Sequence, residues 1–330
     1  MVRQDRLRAV SARPDSVLTI EGAIPLSQSR AHVRILICTR NGGRWLGAQL
    51  DSFLAQTHRD WSLWVSDDGS SDETLDILAR FDASHPGRVE RIVQGPGQGS
   101  AANYLGLLCH PDLPEGVVAL SDQDDVWKPH KLERALGQLA QAGPGPCAWS
   151  GRYMFTDPDL RPLHPSPVWL QGPSLSNAVV QNILSGHTLT LNPAALALIR
   201  RAGPQAVQHH DWWVYLVLMA CGAQALVDTD EVLFYRQHGD NAMGGRSVGT
   251  ARSTRMRMVL TGELRDWIEA NLQALLQSDL PLTPRARVFS TEWLAAGRMG
   301  RLRLLHRFGI HRQTLRETAL IWVAALSGRL

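Results

Sequence analysis

Short apolar runs alternate along this chain with stretches in which apolar residues return every three or four positions. Val33-Arg34-Ile35-Leu36-Ile37-Cys38-Thr39 is β-rich and stops at Arg40-Asn41-Gly42-Gly43, after which Trp45, Leu46, Leu50, Phe53 and Leu54 recur at helical spacing. The unit repeats: a strand at Trp61 to Ser66, an acidic turn at 67–72, and a helix from Glu73 to Phe81 with Leu75, Ile77 and Leu78 inward and Ser71 or Asp72 as N-cap. A weaker strand, Arg88 to Val93, leads through Gly95, Gly97 and Gly99 into a helix from Gln98 to Leu108. Gly116 to Leu120 reads as a buried fourth strand, and a helix begins near Pro129 and runs through Lys131 to Leu136. Strands alternating with helices predict an α/β fold: a mostly parallel sheet with right-handed crossovers, flanked by helices.

The pattern then loosens. Residues 143–173 are rich in Pro and Gly and read as a linker and then an acceptor-facing segment, with Trp149, Tyr153, Phe155 and Trp169 interspersed. Asn182 to Leu191 suggests a loop and strand, and Pro193 starts a helix holding Leu196, Leu198 and Ile199. His209-His210-Asp211-Trp212-Trp213 opens a helix whose body, Val214 to Met219, is apolar throughout and therefore buried. Val232 to Arg236 is a strand ending in Gln237-His238-Gly239-Asp240-Asn241. Beyond Arg246 only helical runs remain, from Met256 to Leu276 and from Arg285 to Met299. The expected division is a flexible extension at 1–32, with a candidate strand at 17–20, a main domain at 33–245 in halves 33–140 and 141–245, and a C-terminal helical region at 246–330.

Composition narrows the class. An apolar fraction of 44% predicts a real core, and a net charge of +3 is too small to argue for nucleic acid as a partner. Cys38, Cys109, Cys147 and Cys221 form no CxxC pair, which fits a reducing, cytoplasmic setting rather than a zinc site or disulfide framework. No apolar signal region follows Arg3, Arg6, Arg8 and Arg13, and the most apolar segment, 212–227, is short of the roughly 20 residues that span a bilayer. From Arg298 onward seven arginines face a single acid, Glu317, with apolar residues interleaved. Such a stretch suits either an anionic membrane face or a helix packed with its arginines toward water.

The chemistry concentrates at the ends of the strands, where open α/β sheets bind ligands. Leu120-Ser121-Asp122-Gln123-Asp124-Asp125 sets three carboxylates after the fourth strand. In extended backbone Asp122 and Asp124 share a face, suited to Mg²⁺ or Mn²⁺ bound jointly with a diphosphate, while Asp125 points away or caps the next helix. The bland alternative is an acidic loop with that cap. Asp67 and Asp68, at the same edge, can accept hydrogen bonds from a base or ribose, or simply form a tight turn. Neither GxGxxG nor GxxxxGK[ST] is present. Arg236 and His238 stand in a loop able to close over phosphates, with His238 a further metal ligand, and the bland reading is a hairpin.

Ile37-Cys38-Thr39-Arg40-Asn41-Gly42, Ser66-Asp67-Asp68-Gly69-Ser70-Ser71-Asp72, Ser121 to Trp127, His210-Asp211-Trp212-Trp213 and Tyr235 to Gly239, in that order, resemble family 2 glycosyltransferases of the GT-A fold, and among them the bacterial rhamnosyltransferase-like branch of surface-polysaccharide assembly. The likeness spans about 33–245. It implies an inverting transferase using a nucleotide-diphosphate sugar, dTDP-rhamnose first, with Mg²⁺ or Mn²⁺. It places Thr39, Arg40, Asn41, Asp67, Asp68 and Asp122 on the nucleotide, Asp122, Asp124 and His238 on the metal, Arg236 and His238 on phosphates, and His187 and Trp212 toward the acceptor. Inverting transfer needs a base near the acceptor hydroxyl, and the resemblance puts Asp211 there, although an acid at a helix start is also an N-cap. His209 and His210 are weaker candidates. The acceptor expected from the resemblance is a growing or lipid-linked glycan, with the enzyme cytoplasmic or peripheral on the inner membrane face. Alternatives are a UDP-hexose or UDP-aminohexose transferase, a sugar nucleotidyltransferase, whose basic glycine-rich loop is missing, and a non-catalytic sugar-nucleotide-binding protein.

Overall fold

Val33, Ile35 and Ile37 of the first strand enter one core and Leu36 enters another, because side chains alternate along extended backbone. The computed structural model describes residues 31–239 and 261–330. The candidate strand at 17–20, the loop residues 240 and 241, the boundary at 245 and the start of the run at Met256 lie outside the described residues.

Strands β1 (Val33–Thr39), β2 (Trp61–Asp67), β3 (Val89–Gln94) and β4 (Val117–Ser121) are joined by helices α1 (Leu46–Leu54), α2 (Thr74–Ser84) and α3 (Ser100–Leu108). They pair in parallel in the order β3-β2-β1-β4. Register sets Thr39 beside Asp67 and Ile37 beside Ser121, so all the acidic turns leave one sheet edge. Helix α2 starts at Thr74, later than expected. Asp72 explains the delay: one oxygen accepts from the Thr74 N–H at 3.0 Å and the other from the Gly43 N–H at 2.9 Å.

The sheet continues through β5 (Val126–Trp127), β6 (Cys147–Thr156), β8 (Thr190–Leu191) and β9 (Gln224–Arg236) in the order β4-β8-β6-β9-β5, with β7 (Pro162–Pro165) antiparallel to β6. The expected linker thus contains an interior strand, β6, and the short β7, joined and followed by loops; 143–146 forms the connection into β6, with Gly143 at φ 86° ending α4 (Lys131–Ala142). The first five residues of β6 are buried, yet they are Cys, Ala, Trp, Ser and Gly, a composition without the β-branched run that marks strands.

Helices α5 (Leu175–Ala178), α6 (Pro193–Ala202) and α7 (His210–Ala220) fill one side of the sheet. Helix α7 is apolar all round, and the C-terminal helices α8 (Glu263–Gln277), α9 (Pro284–Ala295), α10 (Arg298–Arg307) and α11 (Leu315–Leu326) complete its burial. The run expected as one helix at 285–299 is two, broken where Ala296 and Gly297 are extended. Thr283 ties the regions together: its hydroxyl accepts from the Ala286 N–H at 3.2 Å, capping α9, and both its N–H and its hydroxyl donate to the Ala220 carbonyl at 2.9 and 3.0 Å.

Trp293 is 0% exposed, stacked on Phe289 with centroids 5.4 Å apart. Because this helix shares its core with α7, Trp293→Ala should destabilise the whole chain by about 3–5 kcal/mol. Circular dichroism and chemical denaturation should show one lowered transition; a C-terminal transition melting apart from an unshifted main one would show that the helices are independent.

Candidate active site

The loops above the sheet edge are braced by their own polar groups. Asp67 accepts from the Thr39 hydroxyl at 2.8 Å, the Ser70 N–H at 2.8 Å and the Ser70 hydroxyl at 2.6 Å. Asp68 accepts from the N–H groups of Gly97 and Gly99 at 2.6 and 3.1 Å, wedging the glycine loop open beneath Gly95. Asn41, at φ 49°, takes the Ser71 N–H on its side chain at 2.8 Å. Gln123 holds both the N–H and the carbonyl of Arg40, at 2.9 and 3.0 Å. Its amide fills the space next to Gly42, where an added Cβ would lie 2.6 Å from the Gln123 Cδ. Arg40 itself projects an exposed side chain over this edge.

After β4 the chain bends rather than continuing as a strand, so the expected shared face of Asp122 and Asp124 is not formed. Asp122 instead gathers with Asp125 and His187: imidazole Nδ1 is 3.6 Å from one Asp122 oxygen and 3.3 Å from Asp125 Oδ2. Asp125 is no helix cap, since His130 precedes α4; its side chain is 0% exposed, with Oδ1 accepting from the Arg236 N–H at 3.4 Å and Oδ2 without a hydrogen-bond partner. Burial pushes its carboxyl well up, and Asp124 and Asp122 add to the shift. Burial also pushes Asp122 up, but the His187 imidazole and the Tyr104 hydroxyl, which donates at 2.7 Å, outweigh it and leave that carboxyl below its ordinary value. Asp124 turns to the other side and meets His238 Nε2 at 2.8 Å; burial, then Asp122, holds its carboxyl above the ordinary value.

Counter-charge arrives from the helix that follows and from the distant end of β9. Lys131, 0% exposed in the first turn of α4, lies 3.1 Å from the Trp127 ring centroid, and burial pushes its ammonium well down against the pull of Asp125 and Asp122. Arg236 is buried, donating through Nε to the Asp124 carbonyl at 3.0 Å and also to the Pro158 carbonyl. It clamps the aspartate backbone from the end of β9 rather than standing in an open loop. Trp45 stacks against His238 at 5.6 Å and under the Arg236 guanidinium at 4.3 Å.

Helix α7 supplies the remaining carboxylate. His209, not Asp211, is its N-cap residue. Asp211 lies in the first turn, accepting from the Gly186 N–H at 3.1 Å and from the Trp212 N–H at 2.8 Å. The one-turn 3₁₀ segment Gly186–Thr188 therefore links the groups: its first residue holds Asp211 and its second touches Asp122 and Asp125. His210 stacks on Tyr104 with centroids 4.1 Å apart, and burial pushes its imidazole pKa down. Trp212, expected to face an acceptor, is 5% exposed and donates its indole N–H to the Ala178 carbonyl at 2.6 Å; its apolar helix face requires burial, so it belongs to the core. His187, expected on the acceptor side, is carried against the carboxylates instead. Tyr104, Lys131 and Trp45 were given no site role by sequence reasoning, and Asp125 was read only as pointing away or capping the next helix. Only Tyr104 gave a signal, as a tyrosine on a core-facing helix position whose hydroxyl must find a partner.

The carboxylates and imidazoles fit a divalent cation. Asp122, Asp125 and His187 offer ligand atoms within 4.8 Å of one another, and the buried Asp125 Oδ2, which makes no hydrogen bond and has the His187 Nδ1 3.3 Å away, is a hard oxygen for such an ion.

An uncharacterized glycosyltransferase of Nostoc sp. (strain PCC 7120) is 38% identical over 105 residues, 32% of this chain and 31% of that protein, so the chain spans about a third of that relative's length. The dTDP-rhamnosyl transferase RfbG of Shigella flexneri is 25% identical over 231 residues, covering 68% of this chain and 78% of its own. The crystal structure of S. aureus TarS 1–349 with UDP-GlcNAc superposes with a TM-score of 0.56 at 15% identity, covering 90% of this chain and 80% of that one, which shows the same fold. The model of glycosyl transferase family 2 matches residues 34–202, just over half of the chain, and the chain belongs to that family of enzymes.

Proposed function

We propose that this glycosyltransferase is inverting and metal-dependent, moving a sugar, rhamnose from dTDP-rhamnose in the first instance, to a growing surface glycan on a lipid carrier at the inner face of the cell membrane. The single observation that carries the mechanism is the Gly186–His187 link, which joins Asp211 to the carboxylate cluster through adjacent residues. The rhamnosyl donor is supported by the likeness to RfbG, which covers most of both chains. A UDP-sugar donor is the second reading, favoured by the fold shared with TarS, whose crystal structure holds UDP-GlcNAc.

In this reading Asp122, gathered with Asp125 and His187, would hold the cation, and Asp124 with His238 would complete its surroundings from the other side. The cation would carry part of the negative charge that builds on the departing diphosphate. The protein's own part is orientation. Thr39 and the Asp67 turn shape the nucleotide edge, Asp68 sets the glycine loop through which α3 begins, and exposed Arg40 is available to the base or sugar. Arg236 fixes the Asp124 backbone and leaves phosphate contact to His238. Asp211 Oδ2, oriented by the Gly186 N–H, takes the proton of the acceptor hydroxyl as that oxygen attacks the anomeric carbon opposite the leaving group.

Three outcomes test the reading. Calorimetric titration should show dTDP or UDP binding that needs Mg²⁺ or Mn²⁺, disappears with chelator, and weakens by about tenfold or more in Asp124→Ala. Binding indifferent to metal would remove the cation from the mechanism. Asp211→Asn should keep nucleotide affinity and lose activity by about 10²-fold or more; unchanged turnover would rule Asp211 out as the base. Gly186→Ala places a Cβ 2.6 Å from His210 Nε2 and 3.3 Å from the Asp211 Cβ, so kcat should fall by roughly 10- to 100-fold with the donor KM little changed. A KM effect alone would place this turn on the donor side.

A further inference from the structure

Helix α11 buries Ile321, Ala324 and Ala325 and presents Leu315, Val323 and Leu326 to solvent, at 88%, 55% and 51% exposure. At about 100° per residue these three and Ala319 fall within one narrow arc, with Arg316 at its edge. Scattered exposed apolar residues are ordinary, but a continuous stripe on one helix face marks a contact surface. A second segment extends it. Leu170, 86% exposed, precedes Gln171, whose N–H donates to the Gln313 side chain at 2.9 Å and whose carbonyl accepts from it at 2.8 Å. That amide pairing pins the loop beside the start of α11, so an exposed leucine is held in place there instead of folding inward.

The charge around the stripe selects its occupant. Two C-terminal arginines are matched within the helical region: Arg301 to Glu269 at 2.6 Å and Arg307 to Glu292 at 2.9 Å. Arg298, Arg316 and Arg329 are exposed, and none has a carboxylate within ion-pair distance among the described residues. Arg298 packs near Gly328 at the far end of α11, so unmatched positive charge lies at both ends of the apolar arc. No helix among the described residues is long and apolar enough to cross a membrane. An in-plane helix with an apolar face and flanking arginines instead fits the headgroup boundary of an anionic bilayer.

We propose that the outer face of α11, with Leu170 beside it, docks this enzyme on an anionic lipid surface. The proposal deepens the membrane-proximal reading of the function and rests on that part of it alone, not on the identity of donor or base. The test is flotation of the full chain with vesicles of phosphatidylglycerol and phosphatidylcholine, or of phosphatidylcholine alone. The full chain should float with the anionic vesicles and mostly stay behind with neutral ones. Leu315→Asp with Leu326→Asp, both at exposed positions, should lower the bound fraction at least tenfold while circular dichroism and nucleotide titration stay unchanged. Arg316→Glu with Arg329→Glu, which keeps the apolar face, should remove the preference for anionic lipid. No flotation of the parent chain, or equal flotation of parent and the leucine variant, would overturn the proposal, even with donor binding intact. So would light scattering showing a dimer that the leucine variant disperses, since the face would then belong to a second copy.

Discussion

Three carboxylates within four residues, two of them largely withdrawn from water, are the constraint on which this structure depends. At about 4 Å and an effective dielectric near 20, each like-charge pair repels by about 4 kcal/mol. The aspartate segment supplies no cation of its own. Relief comes from His187 before β8, Lys131 on α4, His238 after β9 and the Tyr104 hydroxyl on α3. The repulsion therefore acts as a staple: the segment is stable only where elements separated by more than a hundred residues converge on it. The same requirement explains why Lys131 tolerates complete burial with only a ring face for its ammonium, since removing one member of a buried opposite-charge set leaves the other uncompensated.

The two acidic turns divide the work differently from what their residue types alone imply. The oxygens of Asp67 and Asp68 are largely taken up by N–H and O–H donors from neighbouring loops. Their role in the free protein is to shape backbone, and any base or ribose that approaches meets a preset edge. Asp122 to Asp125 are short of donors by comparison, and Asp125 Oδ2 has no hydrogen-bond partner. Acid groups satisfied by the backbone build a scaffold, whereas acid groups satisfied by imidazole and ammonium keep charge available for exchange with a cation.

Sequence reasoning read the first half of the chain well because parallel strands buried on both faces leave continuous apolar runs, as in Val33 to Thr39 and Gly116 to Leu120. It lost β6 because that strand is stabilised by aromatic and small residues between two partners, a tertiary effect with no local signature. The sheet-edge placement of Thr39 and of the aspartate turn after β4 was legible from the strand pattern, whereas the bend that parts Asp122 from Asp124 was not. Trp212 was misplaced because a tryptophan near a functional acid looks the same in sequence whether it faces a cleft or a core. The role of His187 and the burial of Asp125 were hidden for a stronger reason: each depends on a contact between residues far apart or on opposite sides of a bend.

The role proposed for Asp211 as base depends on how this fold holds an ordinary helix start. Helix α7 has no polar face beyond its first turn, so packing fixes it on every side and its N-terminus cannot shift independently of the core. A negative charge in a first helical turn is favoured by the helix dipole. The carboxylate offers about four acceptor positions, of which the Gly186 and Trp212 N–H groups occupy one on each oxygen. Those two bonds use acceptor capacity but remove the rotational freedom that an isolated aspartate would have. The remaining lone pairs then point in fixed directions beside the carboxylate cluster. For a reaction whose transition state is governed by placement of charge, fewer open lone pairs in exchange for fixed direction is the favourable side of that balance.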